Sequence, residues 1–325
     1  MKAVVCKAYG PPEALVVEDV ASPKPGKGQV VISVKAAGVN FPDTLIIQGK
    51  YQFKPEPPFS PGGEVAGVIK ALGEGVSGLR VGDRVIGAST FGGFAEELVT
   101  DADKVIPMPD GMDFVPASAF VLTYGTSYHA LKDRAQIKAG ETLLVLGASG
   151  GVGLSAIQIG KAFGARVTAA ASSEAKLQVC RDNGADETID YSREDLRARV
   201  KAITAGRGLD VVYDPVGGSH SELALRDMAW NGRFLVVGFA AGDIPKIPLN
   251  LALLKGCSIV GVFWGAFTRI EPDANRRNNE ALMQMYAEGT VKPHIHATYS
   301  LDRAVDALNE VLSKRVSGKV VLTTT

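Results

Sequence analysis

The rhythm of hydrophobic and polar positions changes twice along this chain. In residues 1–124, short Val- and Ile-rich runs (KAVVCKA, ALVVEDV, QVVISVKAAG, GEVAGVIKAL, DRVIGAS, FAEELVT) are separated by turn material at Pro11-Pro12, Pro23-Lys24-Pro25-Gly26, Gly73-Glu74-Gly75 and Gly92-Gly93. That pattern predicts short strands in a compact β-rich domain. One stretch, residues 38–51, breaks it. Asp43 to Gln48 reads there as a short helix stopped by Gly49. From about 125, apolar runs of strand length alternate with helical periodicity. RVTAAA, ETID, LDVVYDPV, RFLVVGF and SIVGVF (258–263) read as strands. Helices are expected over 173–183, over 192–204, up to Trp230 and around 249–254. Six strands with crossovers predict a doubly wound parallel sheet. Beyond 266 the style changes again. Asn275–Glu288 and Leu301–Ser313 are amphipathic, the second placing Leu301, Ala304, Val305, Leu308, Val311 and Leu312 on one stripe. The chain closes on GKVVLTTT. The expected organisation is therefore one discontinuous domain, 1–124 with 267–325, carrying an inserted nucleotide domain at 125–266.

The centre of the pattern is LLVLGASGGVGLSAIQIG, residues 143–160. Leu143 to Leu146 read as a buried strand. Gly147, Ala148, Ser149, Gly150, Gly151, Val152 and Gly153 form a turn that opens a helix. Free N–H groups at a helix N-terminus point at an anion, and glycines let the backbone come close, so this is a candidate phosphate cradle. Its spacing is G-x-x-G-G-x-G, one residue longer in its first half than the usual dinucleotide fingerprint. NAD-preferring domains place an Asp or Glu at the end of the second strand. Here that strand ends Ala171-Ser172-Ser173, with Lys176 following and Tyr191 closing the next strand. A hydroxyl, an ammonium and a phenol suit a 2′-phosphate, so NADPH is expected over NADH; alternatively, Lys176 is only a solvated helix residue. Gly238 and Phe239 follow the fifth strand at the carboxyl edge, where such sheets hold ligands.

Composition narrows the reading. The 325 residues carry 35 Lys+Arg and 35 Asp+Glu, a net charge of zero, which argues against a nucleic-acid footprint. Cys6, Cys180 and Cys257 are odd in number and far apart. They fit neither a disulfide framework nor a metal cluster and favour a reducing, cytoplasmic setting. The start of the chain has no apolar signal-peptide core. The uncharged stretch 142–160 holds five glycines and several polar residues, so no membrane span is expected.

The β-rich N-terminal region, GASGGVG and the terminal SGKVVL resemble the medium-chain dehydrogenase/reductase superfamily. AAGVNFPDTLIIQGKY, the glycine loop and Ser172/Lys176/Tyr191 resemble its zinc-free NADPH:quinone oxidoreductases, the zeta-crystallin group. The resemblance implies an α/β fold in which a Rossmann doubly wound parallel sheet is inserted into a GroES-like β-rich catalytic domain. Where the zinc alcohol dehydrogenases of the superfamily bring a Cys, this chain has Asn40; where they have Gly-His-Glu, it has Gly62-Gly63-Glu64. The pair His294 and His296 is too small a ligand set for zinc, so no metal is expected. The resemblance also implies that Asn40 bonds the cofactor or the substrate carbonyl; alternatively, it only shapes a turn. The resemblance makes Tyr51 a proton donor or an aromatic lid, and places Thr126 beside the nicotinamide. Arg315 and Lys319 could reach back to the cofactor or be surface cations. Phe91, Trp264 and Phe267 are pocket walls or core, and Asp43 holds its loop by hydrogen bonds. A second pocket tyrosine of the quinone reductases is replaced by Leu45, giving a more apolar site.

The leading expectation is a zinc-independent NADPH-dependent reductase passing hydride to quinones or α,β-unsaturated carbonyl compounds. The alternative is a 2-enoyl-CoA (enoyl thioester) reductase, with Arg269, Arg276 and Arg277 available for CoA phosphates. A third is a non-catalytic NADPH-binding protein. The strand SIVGVF, at a sheet edge, is expected to pair with its mate in a homodimer.

Overall fold

A computed structural model describes residues 1–324. They form two compact units, Met1–Leu122 joined by the chain from Pro293 onward, and Thr123–Lys292. In chain order the first unit contains Lys2–Val5 (β1), Val16–Asp19 (β2), Gln29–Val39 (β3), Glu64–Leu72 (β4), Arg84–Ala88 (β5), Glu97–Asp101 (β6) and Val105–Pro107 (β7). The second contains Thr142–Leu146 (β8), Arg166–Ala171 (β9), Glu187–Asp190 (β10), Leu209–Asp214 (β11), Met228–Val236 (β12) and Ser258–Gly261 (β13). Ile295–Ser300 (β14) and Lys319–Thr323 (β15) return to the first.

In the first unit β1 pairs with β2, and a larger sheet runs β14-β15-β3-β4-β5-β7 with β6 on β3. Strand periodicity sends Val30, Ile32 and Val34 of β3 into one core with Val65 and Ile69 of β4 and Val320 and Leu322 of β15. Burying each such side chain contributes about 1.5–3 kcal/mol. Register has a further consequence. β15 runs antiparallel to β3 with Val320 opposite Val39, and β4 pairs Val65 with Ala37. One step further along each strand, Lys319, Asn40 and Glu64 arrive at the same end of three adjacent strands.

The second unit is a fully parallel six-stranded sheet, β10-β9-β8-β11-β12-β13. This is the doubly wound order, reversing between β8 and β11. Leu143 to Leu146 are all buried, as a central strand covered on both faces requires. Two expectations are corrected. The helix expected to run to Trp230 is Ser219–Arg226; Trp230 sits on β12, where Asn231 adopts φ +61° and the register on β11 slips. The return to the first unit comes after Lys292 rather than at 267. The helix Pro272–Ala287 stays with the second unit because Asn278 accepts from Lys132 (2.8 Å) and donates to Asp133 (2.8 Å). The Lys292 N–H likewise donates to Gln158 at 2.8 Å. Among the described residues no helix is long and apolar enough to cross a membrane.

Candidate active site

In the first unit, β3 ends at Val39 and the chain turns at Asn40 into the helix Phe41–Ile46. Pro42 suits the first turn of that helix. Asp43 accepts the Asn40 backbone N–H at 2.7 Å and, at the same carboxyl, the Gly62 N–H. This confirms Asp43 as the residue that holds the turn. Gly49 then stops the short helical stretch at φ +64°. Around Asn40 lies a buried cluster of Asp43, Glu64 and Lys319. Lys319 Nζ donates to Asn40 Oδ1 and to the Val39 carbonyl (3.1 Å), and lies 3.9 Å from Glu64 Oε2. Asn40 Nδ2 donates to the Gly38 carbonyl at 3.2 Å and faces Glu64 Oε2 at 3.5 Å. Glu64 Oε1 accepts the Leu122 N–H at 2.9 Å.

Burial dominates the ionisation of the cluster. It pushes Asp43 up to about 7, with the Asn40 N–H and the Lys319 charge pulling the other way. Glu64 is raised for the same reason, and Lys319 is lowered. Tyr51 follows the helix, half-buried against the core. Burial, with Asp43 nearby, holds its phenol above its usual range, so it carries its proton at neutral pH. Phe53 and Phe91 stack with centroids 5.9 Å apart, and Phe59 meets Phe91 edge-on at 6.0 Å. Phe53 and Phe91 remain partly exposed. They give the first unit an open aromatic wall, fit for a flat apolar ligand.

In the second unit the carboxyl ends of the strands carry the other candidates. After β8, Gly147 turns the chain at φ +56°, and a Cβ there would stand 2.5 Å from Val216 Cγ2. Helix Gly151–Ala162 follows. A Cβ on Gly153 would stand 2.5 Å from the Ala148 carbonyl oxygen, so only glycine lets the helix start this close to the turn. The N–H groups of Gly151, Val152 and Gly153 have no backbone acceptor among the described residues. They are the orphan donors an anion can satisfy. Ser149 is buried beside them. After β9, Ser172 accepts from Lys176 Nζ at 3.3 Å and bonds the Tyr191 phenol. Burial lowers Lys176 and raises Tyr191. A hydroxyl, an ammonium and a phenol thus meet beside the glycine turn, with no carboxylate closing β9. These features fit a dinucleotide carrying a 2′-phosphate.

Thr126 is half-buried on the helix Val121–Tyr128. Its neighbour Ser127 ties that helix to the glycine-loop helix through Ser155 (2.8 Å) and the Val152 carbonyl (3.0 Å). After β12, Gly238 donates to the Asp214 carbonyl at 3.3 Å and Phe239 is partly exposed. Arg315 is exposed on the loop before β15. Lys319 is buried and is not a surface cation. Its ammonium is spent inside the first unit on Val39, Asn40 and Glu64, because the β3–β15 register turns it into the core. Phe267 is buried and stacked on His129 at 3.9 Å, which makes it core rather than a pocket wall. Trp264 packs against Gly125. Arg276 is bound by Glu280 at 2.9 Å. Among the described residues no three His, Cys, Asp or Glu side chains converge. Sequence reasoning missed His220, whose ring lies 4.5 Å from that of Tyr191. Its position after Gly217-Gly218, past β11, was the available signal. It also missed Phe53 and Phe59.

A nucleotide cradle on a doubly wound sheet, carried with a mostly antiparallel β unit in one chain, suits a dinucleotide-dependent oxidoreductase. The zinc-binding dehydrogenase family matches residues 151–279, and the alcohol dehydrogenase GroES-like domain matches residues 26–110. The quinone oxidoreductase-like protein 2 homolog of Nematostella vectensis is 40% identical over 99% of this chain and 89% of its own length. The human quinone oxidoreductase is 35% identical over 99% of this chain and 97% of its own. The crystal structure of the Escherichia coli quinone oxidoreductase complexed with NADPH has a TM-score of 0.92 at 29% identity, covering 100% of both chains. The chain belongs to the quinone oxidoreductases of the medium-chain dehydrogenase/reductase superfamily.

Proposed function

We propose that this protein is a zinc-independent, NADPH-dependent reductase whose acceptors are quinones or α,β-unsaturated carbonyl compounds. The observation that carries the reading is the meeting of Ser172, Lys176 and Tyr191 beside the glycine turn, where an NAD-specific domain would present a carboxylate. Kinship with quinone oxidoreductases supports the acceptor class. NADPH, when bound, supplies the hydride. The N–H groups at Gly151–Gly153 hold the pyrophosphate, Ser149 and Gly150 shape the approach, and Ser172, Lys176 and Tyr191 hold the 2′-phosphate. Thr126, Gly238 and Phe239 would hold the nicotinamide end of NADPH. Asn40 presents an amide N–H to a carbonyl oxygen and favours the charge that develops there. Tyr51 keeps its proton until the reduced acceptor takes it. Phe53 and Phe91 offer an exposed aromatic face on which a planar ring can stack.

The active form is proposed to be a homodimer. β13 is the edge of its sheet, and its outer face is mostly exposed. Trp230, Leu249, Leu253, Leu254 and Phe263, in the neighbouring segments, are each at least 60% exposed. An open apolar edge of this kind calls for a partner, and a second β13 supplies both the hydrogen bonds and the apolar cover.

The test is anaerobic NADPH oxidation at the nicotinamide absorbance, with 1,4-quinones, 9,10-phenanthrenequinone, a simple enone and crotonyl-CoA at matched concentrations. Preference for quinones or the enone supports the proposal. Preference for crotonyl-CoA replaces it with an enoyl thioester reductase, a reading the apolar Leu45 favours. Tight NADPH binding with no turnover of any acceptor replaces it with a binding protein.

A further inference from the structure

We propose that Lys319, countered by Glu64, is a positioning residue that fixes the direction of the Asn40 carboxamide. The proposal rests on the reading above, in which Asn40 offers an N–H to the acceptor. The geometry is that of a keyed amide. An ammonium can only donate, so the end of Asn40 facing Lys319 Nζ must be Oδ1. The Gly38 carbonyl can only accept, so the end facing Gly38 and Glu64 must be Nδ2. A donor on one side and acceptors on the other admit one orientation of an otherwise ambiguous group. Nδ2 carries two hydrogens. One is held by the Gly38 carbonyl at 3.2 Å; the second has the longer bond to Glu64 at 3.5 Å, the one a ligand oxygen would compete for. Glu64 is itself anchored, its other oxygen bound by the Leu122 N–H at 2.9 Å. Lys319 is anchored by the Val39 carbonyl. With both anchors buried, the carboxamide is aimed before any ligand arrives.

A structural and a positioning role separate in one pair of variants. Lys319→Met leaves the Glu64 carboxyl buried without its cation and is expected to lose stability. Lys319→Met/Glu64→Gln removes both charges and is expected to recover the unfolding midpoint, since a buried ion pair is often replaceable by neutral groups. If Lys319 positions Asn40, the double variant still lacks the donor to Oδ1. Its kcat stays about 10–100-fold low, the scale of a misplaced catalytic group, while NADPH affinity by fluorescence titration is unchanged. Glu64→Gln alone keeps Lys319 on Oδ1 but weakens the partner of Nδ2, and its kcat is expected to fall between the wild type and the double variant. A second readout needs no cofactor or acceptor. In protein selectively labelled with 15N-Asn, the side-chain amide pair of Asn40, assigned by its loss in Asn40→Ser, exchanges slowly with solvent in the wild type. It becomes fast in Lys319→Met/Glu64→Gln. Wild-type kcat in the double variant overturns the proposal, and so does an unchanged Asn40 amide pair. If the wild type turns over no acceptor, the functional reading fails on its own, and the amide exchange still decides whether Lys319 holds Asn40.

Discussion

Asp43→Asn isolates the electrostatic cost of the turn that carries Asn40. Burial raises the Asp43 carboxyl from its ordinary 3.8 to about 7. A carboxyl whose pKa is higher folded than unfolded keeps a proton in the native state that the unfolded chain has already lost. Between these two values the native state binds more protons, so this group makes stability fall as pH rises, levelling off above 7. At 1.36 kcal/mol per pH unit, the difference amounts to about 4 kcal/mol. Asparagine cannot ionise and removes this slope. It also offers one oxygen where the carboxyl offers two to the N–H groups of Asn40 and Gly62. That loss costs about 1–3 kcal/mol at every pH. Asp43→Asn should therefore be less stable than the wild type near pH 4 and as stable or more stable near pH 8, with crossing curves. Urea unfolding at several pH values, followed by far-ultraviolet circular dichroism, measures both. The raised Glu64 carboxyl gives both proteins a residual slope in the same direction, so the difference between them is the quantity to read. Parallel curves, with the variant worse by a constant amount, would refute a costly buried carboxyl at position 43.

Lys176→Ala should weaken NADPH by about 1.5–3 kcal/mol, the range of a charge-assisted hydrogen bond, and leave NADH unchanged. Fluorescence titration with both nucleotides checks it, and equal losses would remove Lys176 from the 2′-phosphate. Gly153→Ala forces a methyl to 2.5 Å from the Ala148 carbonyl. It should cost about 1–3 kcal/mol of stability and abolish the rise in melting temperature on adding NADPH. Leu253→Lys/Leu254→Lys places two charges on the apolar face beside β13 and should yield monomers by light scattering; an unchanged dimer would put the interface elsewhere.

What could be read from the sequence follows the range of the interactions involved. The glycine turn, Ser172 with Lys176, and the six-strand alternation are local features. Glycine spacing, a four-residue helical step and apolar period carry them in the chain itself. Tyr191 needs only the next strand. The misjudged features are long-range. The helix Pro272–Ala287 is amphipathic whichever unit it joins, and Asn278, a polar residue, decides the matter through Lys132 and Asp133. Trp230 continues an apolar helical stripe on paper, yet the irregular start of β12 turns it to solvent. Lys319 reads as a cofactor contact or a surface cation because no sequence pattern marks a buried partner for it. Its partners are Glu64 and Asn40, the latter 279 residues away, and only strand register brings them together.

That register also bears on why a lysine stands at position 319. Successive residues of a strand face opposite ways, so a one-residue slip of β15 against β3 would carry Lys319 out of the cluster and put Val320 in its place. Taking an ammonium and a carboxylate out of water costs several kcal/mol per ion, and their mutual attraction often does no better than apolar packing. At 3.9 Å the contact between Lys319 and Glu64 is not a tight ion pair, so stability does not account for it. Hydrogen-bond direction does. No apolar residue at 319 can distinguish the oxygen of Asn40 from its nitrogen, whereas an ammonium on one side and a carboxylate on the other make that choice without relying on the ligand.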